Sequence, residues 1–228
     1  MIDLKQVSKS YPKGIHALTG LDLHIDDGEF VYVIGATGSG KSTLVKILNA
    51  EEIPDSGSVI VDGVDVGHLK HRKVPKYRRN IGCIFQDYRL LPSLTVYENI
   101  AFAMEAVGAS KKEIKKRVAE VLELVDLKEK AYSYPDELSG GQQQRVTIAR
   151  AIVNQPKVLI ADEPTGNLDP EKSREIMSLL EKINETLKTT IIMVTHDSAS
   201  VDEYKKRTIM LDAGFMVHDF AKGGYKSL

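Results

Sequence analysis

The chain has 228 residues, 42% hydrophobic and 28% charged, which is typical of a soluble globular protein with a large core. A formal net charge of −1 argues against a surface devoted to nucleic acid, and a single cysteine, Cys83, excludes an internal disulfide. The first residues lack the layout of a signal peptide, and no apolar run approaches the roughly 20 residues of a membrane helix. We therefore expect a cytosolic protein that does not bind nucleic acid.

The N-terminal quarter of the chain is predicted to form antiparallel strands. Apolar and polar residues alternate in residues 2–4 and again in residues 21–25, which is the pattern of strands with one buried face. A further short strand is predicted within residues 57–63, where a glycine stands at each end of an apolar run.

Three later runs, residues 30–34, 158–161 and 191–194, are continuously apolar. Strands buried on both faces have this pattern, as in a parallel sheet that helices cover. Polar residues follow each run directly, and the ligands of open α/β sheets bind beyond the carboxyl ends of the strands. The sequence therefore predicts three site segments at one edge of one sheet.

A helical region is predicted between the first and the second of these runs. Ser110 and Glu113 form a capping-box pattern, and apolar residues follow them at helical spacing. Residues 97–105 also predict a helix. We expect a helical subdomain over about residues 88–155, inserted into the sheet-containing core.

Residues 35–42 match the phosphate-loop pattern GxxxxGK[ST], with a buried strand before them and a helix after them. Glycines let the backbone wrap around phosphate oxygens, and the helix N-terminus adds partial positive charge. Lys41 is expected to pair with the β- and γ-phosphates of ATP, and the Ser42 hydroxyl to bind Mg²⁺. The predicted nucleotide-binding residues here are Gly35, Ala36, Thr37, Gly38, Ser39, Gly40, Lys41, Ser42 and Thr43.

Asp162 and Glu163 end the second buried strand. Neighbouring side chains of a strand point to opposite faces, so we expect two separate roles. Asp162 is expected to hold Mg²⁺, and Glu163 to orient or deprotonate the attacking water.

His196 follows the third buried strand. A histidine in this position is by itself more often structural than catalytic. Beside a phosphate loop and an acidic pair, we expect it to reach the γ-phosphate and the attacking water.

A second helix start suited to anions is predicted at residues 138–142, LSGGQ. Ser139 is a natural N-cap, and Gly140 and Gly141 leave backbone N–H groups open. Gln142 completes the segment. One phosphate tail cannot easily use both helix starts of the same chain.

Together these motifs resemble the ATP-binding cassette ATPases over nearly the whole chain, and residues 138–142 match the family signature. The resemblance implies one α/β domain with a P-loop NTPase core of mainly parallel sheet. It also implies an N-terminal antiparallel β-subdomain and an inserted helical subdomain. The core would comprise about residues 1–87 and 156–228.

The resemblance also implies further roles. Gln86 is similar to the glutamine that touches Mg²⁺, Asp169 to the aspartate of the D-loop, and Tyr11 to the aromatic residue that stacks on adenine. His196 corresponds to the switch histidine. Each ATP would lie between the phosphate loop of one subunit and the signature helix of the other, in an ATP-dependent head-to-tail homodimer.

Within the family, residues 161–169 are similar to a branch of lipoprotein-release, macrolide-efflux and cell-division ATPases. Residues 85–92 and 95–101 resemble the FtsE family of cell division, in the region where the family contacts its membrane subunit. This implies an FtsX-like membrane partner, control of cell-wall hydrolysis at the septum, and a peripheral location on the cytoplasmic side of the membrane.

Alternative functions remain at this point. The first is the ATPase subunit of a lipid, lipoprotein or peptide exporter of the same branch. Soluble cassette ATPases of DNA repair or translation usually carry long insertions or two cassettes, which 228 residues with one phosphate loop do not accommodate. A scaffold that binds ATP without turnover is disfavoured by the presence of both Glu163 and His196.

Overall fold

Two β-sheets and the helices that cover them make up residues 1–222, which this computed structural model describes. The strands are β1 (Ile2–Tyr11), β2 (Ile15–Ile25), β3 (Phe30–Ile34), β4 (Ser56–Val61), β5 (Val64–Asp65), β6 (Ile81–Ile84), β7 (Val158–Asp162), β8 (Thr190–Val194), β9 (Arg207–Asp212) and β10 (Phe215–Phe220). The helices are α1 (Lys41–Leu48), α2 (Val74–Arg78), α3 (Val96–Glu105), α4 (Lys111–Leu124), α5 (Gly140–Ile152), α6 (Pro170–Leu187) and α7 (Ser198–Tyr204).

The N-terminal sheet is antiparallel, with the strand order β2-β1-β4-β5. Ile2 lies opposite Ile25 and Leu4 opposite Leu23, so the alternating apolar residues of both strands share one face. That face packs against α1 and one side of the second sheet. The predicted antiparallel strands are confirmed.

The second sheet has six strands in the order β10-β9-β3-β8-β7-β6, and all but β10 run parallel. Side chains on its two faces enter different cores: Tyr32 and Ile34 of β3 face the helices, whereas Val31 and Val33 face the N-terminal sheet. Each fully buried side chain of this size stabilises the fold by about 1.5–3 kcal/mol. Burial on both faces explains the continuous apolar runs, and the predicted fold class is confirmed.

Three helices, α3, α4 and α5, lie between β6 and β7 in the chain. Each begins with a capping box, formed by Thr95 with Glu98, by Ser110 with Glu113, and by Ser139 with Gln142. The Ser110 box was predicted from the sequence and is confirmed. The apolar stripe of α4 packs into the same core as α5 and α6.

The longest helix of residues 1–222 is α6, with 18 residues. Pro170 stands at its first turn, and Asp169 caps it by accepting hydrogen bonds from the backbone of Glu171 and Lys172. One face is buried in the core and the other carries charged residues. None of the helices in this part of the chain combines the length and apolarity needed to cross a membrane.

Cys83 lies in β6, half-buried, with its Sγ 3.6 Å from Oδ1 of Asn49. Burial raises the pKa of its thiol to about 12. The thiol is therefore protonated at neutral pH, which agrees with a core residue and not a reactive one.

Candidate functional site

A cleft of about 390 Å³ opens at the carboxyl ends of the parallel strands. The segments that follow β3 and β7 meet there, as predicted, and they are joined by Gln86, which follows β6. The third predicted segment, which follows β8, does not line this cleft, and only Val194 at the end of β8 reaches it. The residues that line it are Tyr11, Ile15, Ala17, Thr37, Gly38, Ser39, Gly40, Lys41, Ser42, Thr43, Gln86, Asp162, Glu163 and Val194.

The loop between β3 and α1 depends on glycines for two reasons. Gly35, with φ 148°, and Gly40, with φ 109°, adopt backbone conformations that favour glycine. A Cβ atom added at Gly35 would lie 2.1 Å from the carbonyl oxygen of Leu211. One added at Gly40 would lie 2.3 Å from the carbonyl oxygen of Ala17. The loop is thus held tightly over the sheet edge.

The first turn of α1 has no side-chain cap, because its N-cap residue is Gly40. The free N–H groups of a helix start attract anions, and a phosphate would satisfy them. The donor set of this loop therefore fits the phosphates of a nucleotide.

Lys41 is the first residue of α1 and reaches back over the loop. Its Nζ donates hydrogen bonds to the carbonyl oxygens of Gly35 at 2.6 Å and Ala36 at 2.9 Å. Burial lowers the pKa of this ammonium, and the nearby charges of Glu163 and Asp162 oppose that shift. Gly35 and Ala36 thus contact Lys41 without lining the cleft themselves.

Asp162 and Glu163 both line the cleft. Glu163 lies one residue beyond the end of β7, and its φ of 49° is in the left-handed region. Strand alternation therefore does not apply at Glu163, and the prediction that it separates the two side chains was wrong. Burial raises the pKa of Asp162, and the charge of Glu163 raises it further, against the opposing effects of Lys41 and Arg89. The positive charges of Lys41 and Arg89 are therefore too weak to offset the effects of burial and Glu163 on the pKa of Asp162.

His196 contacts Glu163 directly. Its Nδ1 lies 2.7 Å from Oε1 of Glu163, and the Thr195 hydroxyl donates to Oε2 at 3.4 Å. His196 does not line the nucleotide cleft. Instead, His196 and Glu163 both line a neighbouring cleft of about 430 Å³, which lies between the starts of α6 and α7.

Tyr11 and Gln86 were predicted site residues, and both line the cleft. The Tyr11 hydroxyl is buried and has no hydrogen-bond partner within residues 1–222. Ile15 and Ala17 of β2 line the cleft beside it and were not predicted. No local motif marks them, because only the pairing of β1 with β2 brings them to the loop.

The signature segment lies apart from the cleft. Ser139 caps α5. A Cβ atom added at Gly140 would lie 3.0 Å from the Tyr88 hydroxyl, and one added at Gly141 would lie 3.2 Å from Cδ of Lys172. None of the predicted residues of this second group lines the cleft; they are Ser139, Gly140, Gly141, Gln142 and Asp169. The two helix starts that are predicted to bind anions are thus separate within one chain.

Ser42, Gln86 and Asp162 bring a hydroxyl, an amide oxygen and a carboxylate to the cleft. These hard oxygen donors suit Mg²⁺, which keeps several waters and phosphate oxygens as ligands. No cluster of three or more His, Cys, Asp or Glu able to hold a metal occurs in residues 1–222. The donor set of the cleft therefore fits Mg²⁺.

The chain matches the ABC transporter family over residues 18–166. It is 52% identical to the cell division ATP-binding protein FtsE of Bacillus subtilis, over 100% of this chain and 99% of that one. The methionine import ATP-binding protein MetN of Vibrio vulnificus is 46% identical, and the match covers 95% of this chain but 64% of that protein.

Among solved structures, the fold is similar to the ATP-binding cassette MJ0796, a dimer in a post-hydrolysis state bound to ADP and Pi. The TM-score is 0.86 with 38% sequence identity, and the match covers 99% of this chain and 100% of the other.

Proposed function

Since the chain belongs to the ABC transporter family of ATPases, we propose that it hydrolyses Mg-ATP as a head-to-tail homodimer and drives a membrane partner in cell division. The cell-division role rests on one observation: 52% identity to the Bacillus subtilis relative extends over 99% of that protein. The partner we assign is an FtsX-like membrane protein. It would hold the chain at the cytoplasmic face of the membrane and let it control cell-wall hydrolysis.

Binding uses the loop and the start of α1. The phosphates accept hydrogen bonds from the free N–H groups. Lys41 leaves the carbonyl oxygens of Gly35 and Ala36 and pairs with the β- and γ-phosphates. Ser42, Asp162 and Gln86 would hold Mg²⁺, which would supply positive charge at the phosphate oxygens. The adenine stacks on Tyr11, beside Ile15 and Ala17.

Hydrolysis uses Glu163 and His196. A water attacks the γ-phosphorus, the bond to the β–γ bridging oxygen breaks, and ADP leaves. Glu163 orients that water and accepts its proton, a role that contributes about 10²–10⁴-fold to such rates. His196, placed by its 2.7 Å contact with Glu163, moves to contact the γ-phosphate.

The separation of the two helix starts supports the proposed dimer. In a two-fold arrangement, the start of α5 in one chain faces the phosphate loop of the other. Ser139, Gly140, Gly141 and Gln142 then complete the partner's site, with Asp169 close by at the start of α6. The solved dimeric cassette with ADP and Pi supports this assembly.

We assign about residues 88–155, which include α3, α4 and α5, to a helical signature subdomain within a single cassette domain. About residues 1–87 and 156–228 would form its nucleotide-binding core, of which residues 223–228 lie outside the described part of the chain. The separate caps of the three helices support a unit of this kind.

A second candidate is the ATPase subunit of a transporter. The 46% identity to a methionine import protein favours it. However, the match covers only 64% of that protein, whereas the cell-division relative matches end to end. The cell-division role is therefore the better supported.

Affinity purification of the chain from its native membrane tests the proposal. We expect an FtsX-like protein in saturating Mg-ATP with vanadate, and its loss in a Lys41→Ala variant that no longer binds ATP. Recovery of a solute permease or a polytopic exporter would contradict the cell-division role.

A further inference from the structure

The segment around α2 is strongly basic. The whole chain has 31 lysines and arginines and 32 aspartates and glutamates. Residues 66–86 contain six of the first group and none of the second. In the rest of the chain, 25 basic residues are outnumbered by 32 acidic ones. The segment is thus a region of positive charge on a chain that is otherwise net negative.

Four of these cations lie on one side of α2. Arg72 and Lys73 belong to the short 3₁₀ helix His71–Lys73, which runs directly into α2. Lys76 lies one turn later, and Arg79 follows at the end of the helix. Helical residues that are three, four or seven positions apart share one side of the helix. All four side chains are exposed, and we call them the basic face.

The other side of α2 is fixed to α1. Tyr77 is buried, and its hydroxyl donates to the carbonyl oxygen of Leu48, the last residue of α1. Arg78 donates to the carbonyl oxygen of Asn49 at 2.9 Å and to that of Ala50 at 3.1 Å. These bonds satisfy carbonyl groups that the end of a helix leaves free. They also hold α2 with the basic face turned outward.

The charge of the basic face is not compensated within the chain. None of its four cations forms an ion pair with a residue in the described range 1–222. Other helices differ, since Arg117 of α4 pairs with Glu120 and Lys172 of α6 pairs with Glu175. Like charges at helical spacing repel each other. An anionic surface outside the chain would therefore stabilise the basic face.

A membrane suits this face better than a nucleic acid does. Surfaces that bind single strands combine cations with exposed aromatic rings, on which the bases stack. The one aromatic residue of α2, Tyr77, is buried against α1. A long polyanion would also meet the net negative remainder of the chain, whereas a membrane contacts the side that is turned toward it.

We propose that the basic face binds the anionic phospholipid headgroups of the membrane, as a lipid contact in addition to the protein partner. This inference rests on the proposed function, because it presumes a location at the cytoplasmic face of the membrane. Each lysine or arginine near an anionic leaflet raises membrane affinity about fivefold, so four raise it on the order of several hundredfold. Binding of this strength is reversible, and it acts as one of the two signals that stable membrane attachment requires.

Co-sedimentation of the purified full chain with lipid vesicles tests the inference. The vesicles contain phosphatidylcholine, either alone or with about one third phosphatidylglycerol, and no membrane protein. We expect the chain to bind the anionic vesicles and not the neutral ones. Because the Debye length falls from about 10 Å in 0.1 M salt to about 3 Å in 1 M salt, high salt should release the chain.

A triple variant tests the basic face itself. Arg72→Gln combined with Lys73→Gln and Lys76→Gln should weaken binding to the anionic vesicles by about 100-fold. The matched control removes three exposed cations of α4 instead and has the same net charge. It should bind no more than about threefold more weakly than the unchanged chain. The control changes are Lys111→Gln, Lys112→Gln and Lys115→Gln.

A third variant separates charge from structure. Arg72→Lys combined with Lys76→Arg keeps every charge and should bind as the unchanged chain does. Phosphate release from Mg-ATP should be the same in all of these variants, since none of the changed residues lines the nucleotide cleft.

Equal losses in the two triple variants, equal binding to both kinds of vesicle, or binding to neither would overturn the inference. Displacement by soluble glycerol phosphate would also overturn it, because the site would then bind a free anion. Binding of duplex DNA that depends on the basic face and resists anionic vesicles would favour a nucleic acid instead.

Failure of the proposed function has a different result. The purified chain would not hydrolyse Mg-ATP, or no membrane protein would copurify with it, and the vesicle measurement needs neither. An active ATPase that copurifies with a membrane protein but does not bind anionic vesicles would contradict this inference alone.

Discussion

Nδ1 of His196 lies 2.7 Å from Oε1 of Glu163, and the backbone N–H of His196 also donates to Oε2 of Glu163 at 3.4 Å. The two residues follow different strands, β8 and β7, that pair side by side in the sheet. The Thr195 hydroxyl adds a third contact to the same carboxylate. Glu163 is therefore held toward β8, and under the proposed mechanism its carboxylate would be released or shared when His196 contacts a γ-phosphate.

The first prediction concerns Glu163→Gln. An amide keeps the shape of the side chain but cannot accept the proton of the attacking water, so ATP turnover should fall by about 10²-fold or more. Nucleotide binding should persist, and saturating Mg-ATP should produce a stable dimer. Phosphate release measures turnover, and light scattering measures the mass.

The matched control is Glu185→Gln, an exposed carboxylate near the end of α6. Its turnover should equal that of the unchanged chain. A Glu163→Gln chain that remains a monomer in saturating Mg-ATP would count against the dimer mechanism.

Much of the fold could be predicted because its signals are local. The runs at residues 30–34, 158–161 and 191–194 are strands buried on both faces, and their positions fix one sheet edge. The phosphate-loop spacing likewise needs no tertiary information, since its glycines and Lys41 are consecutive with the strand and helix they join.

What the sequence could not predict depends on contacts between distant segments. Ile15 and Ala17 reach the cleft only through the β1–β2 pairing. The left-handed backbone of Glu163 breaks the alternation rule at the one position where it was used to separate two side chains. A groove lined by four arginines is likewise assembled from separate segments, and no single segment contains them all: Arg78, Arg79, Arg89 and Arg150.

The second prediction concerns Asp162→Asn. Burial and Glu163 raise the pKa of Asp162 in the folded chain above its unfolded value of about 3.9. The folded state thus loses stability as pH rises through the unfolded and then the folded pKa. Without metal or nucleotide at pH 7, the variant should melt on the order of 1–3 °C higher.

The difference should vanish below about pH 3, well under the unfolded pKa, where the carboxyl group is protonated in both states. In Mg-ATP the unchanged chain should melt at a higher temperature than the variant, because it gains stability from metal-dependent binding that the variant lacks. Differential scanning fluorimetry across pH, with and without Mg-ATP, measures both effects. A variant that melts lower at pH 7 without ligands would contradict the electrostatic account of Asp162.

The third prediction compares two N-caps of the same kind. The Ser139 hydroxyl accepts from Gln142 at 3.3 Å, and the Ser110 hydroxyl accepts from Glu113 at 3.4 Å. Each change to alanine should cost about 1 kcal/mol of folding free energy. Only Ser139→Ala should also lower ATP turnover, by about tenfold or more, because only this cap faces the second nucleotide site of the proposed dimer.

Denaturant unfolding measures the stability of each variant, and phosphate release measures its turnover. Ser110→Ala controls for the loss of a cap as such. Equal losses of turnover in the two variants would mean that Ser139 acts only through the stability of α5.

The fourth prediction separates steric contact from backbone strain at glycine. Gly40 has φ 109°, and an added Cβ would lie 2.3 Å from the Ala17 carbonyl oxygen and 2.9 Å from Cδ2 of Leu18. Gly63, in the turn between β4 and β5, has φ 73°, but an added Cβ would meet nothing within 4 Å. Gly63→Ala should therefore cost about 1 kcal/mol, the price of a left-handed alanine.

Gly40→Ala should cost about 3 kcal/mol or more, because the phosphate loop must move away from β2 to admit the methyl group. It should also abolish ATP binding, since Ile15 and Ala17 of β2 line the same cleft as the loop. Chemical denaturation gives the two stabilities, and fluorescence titration with a labelled ATP gives the affinity. A Gly40→Ala chain as stable as Gly63→Ala, with ATP affinity intact, would show that β2 does not hold the loop in place.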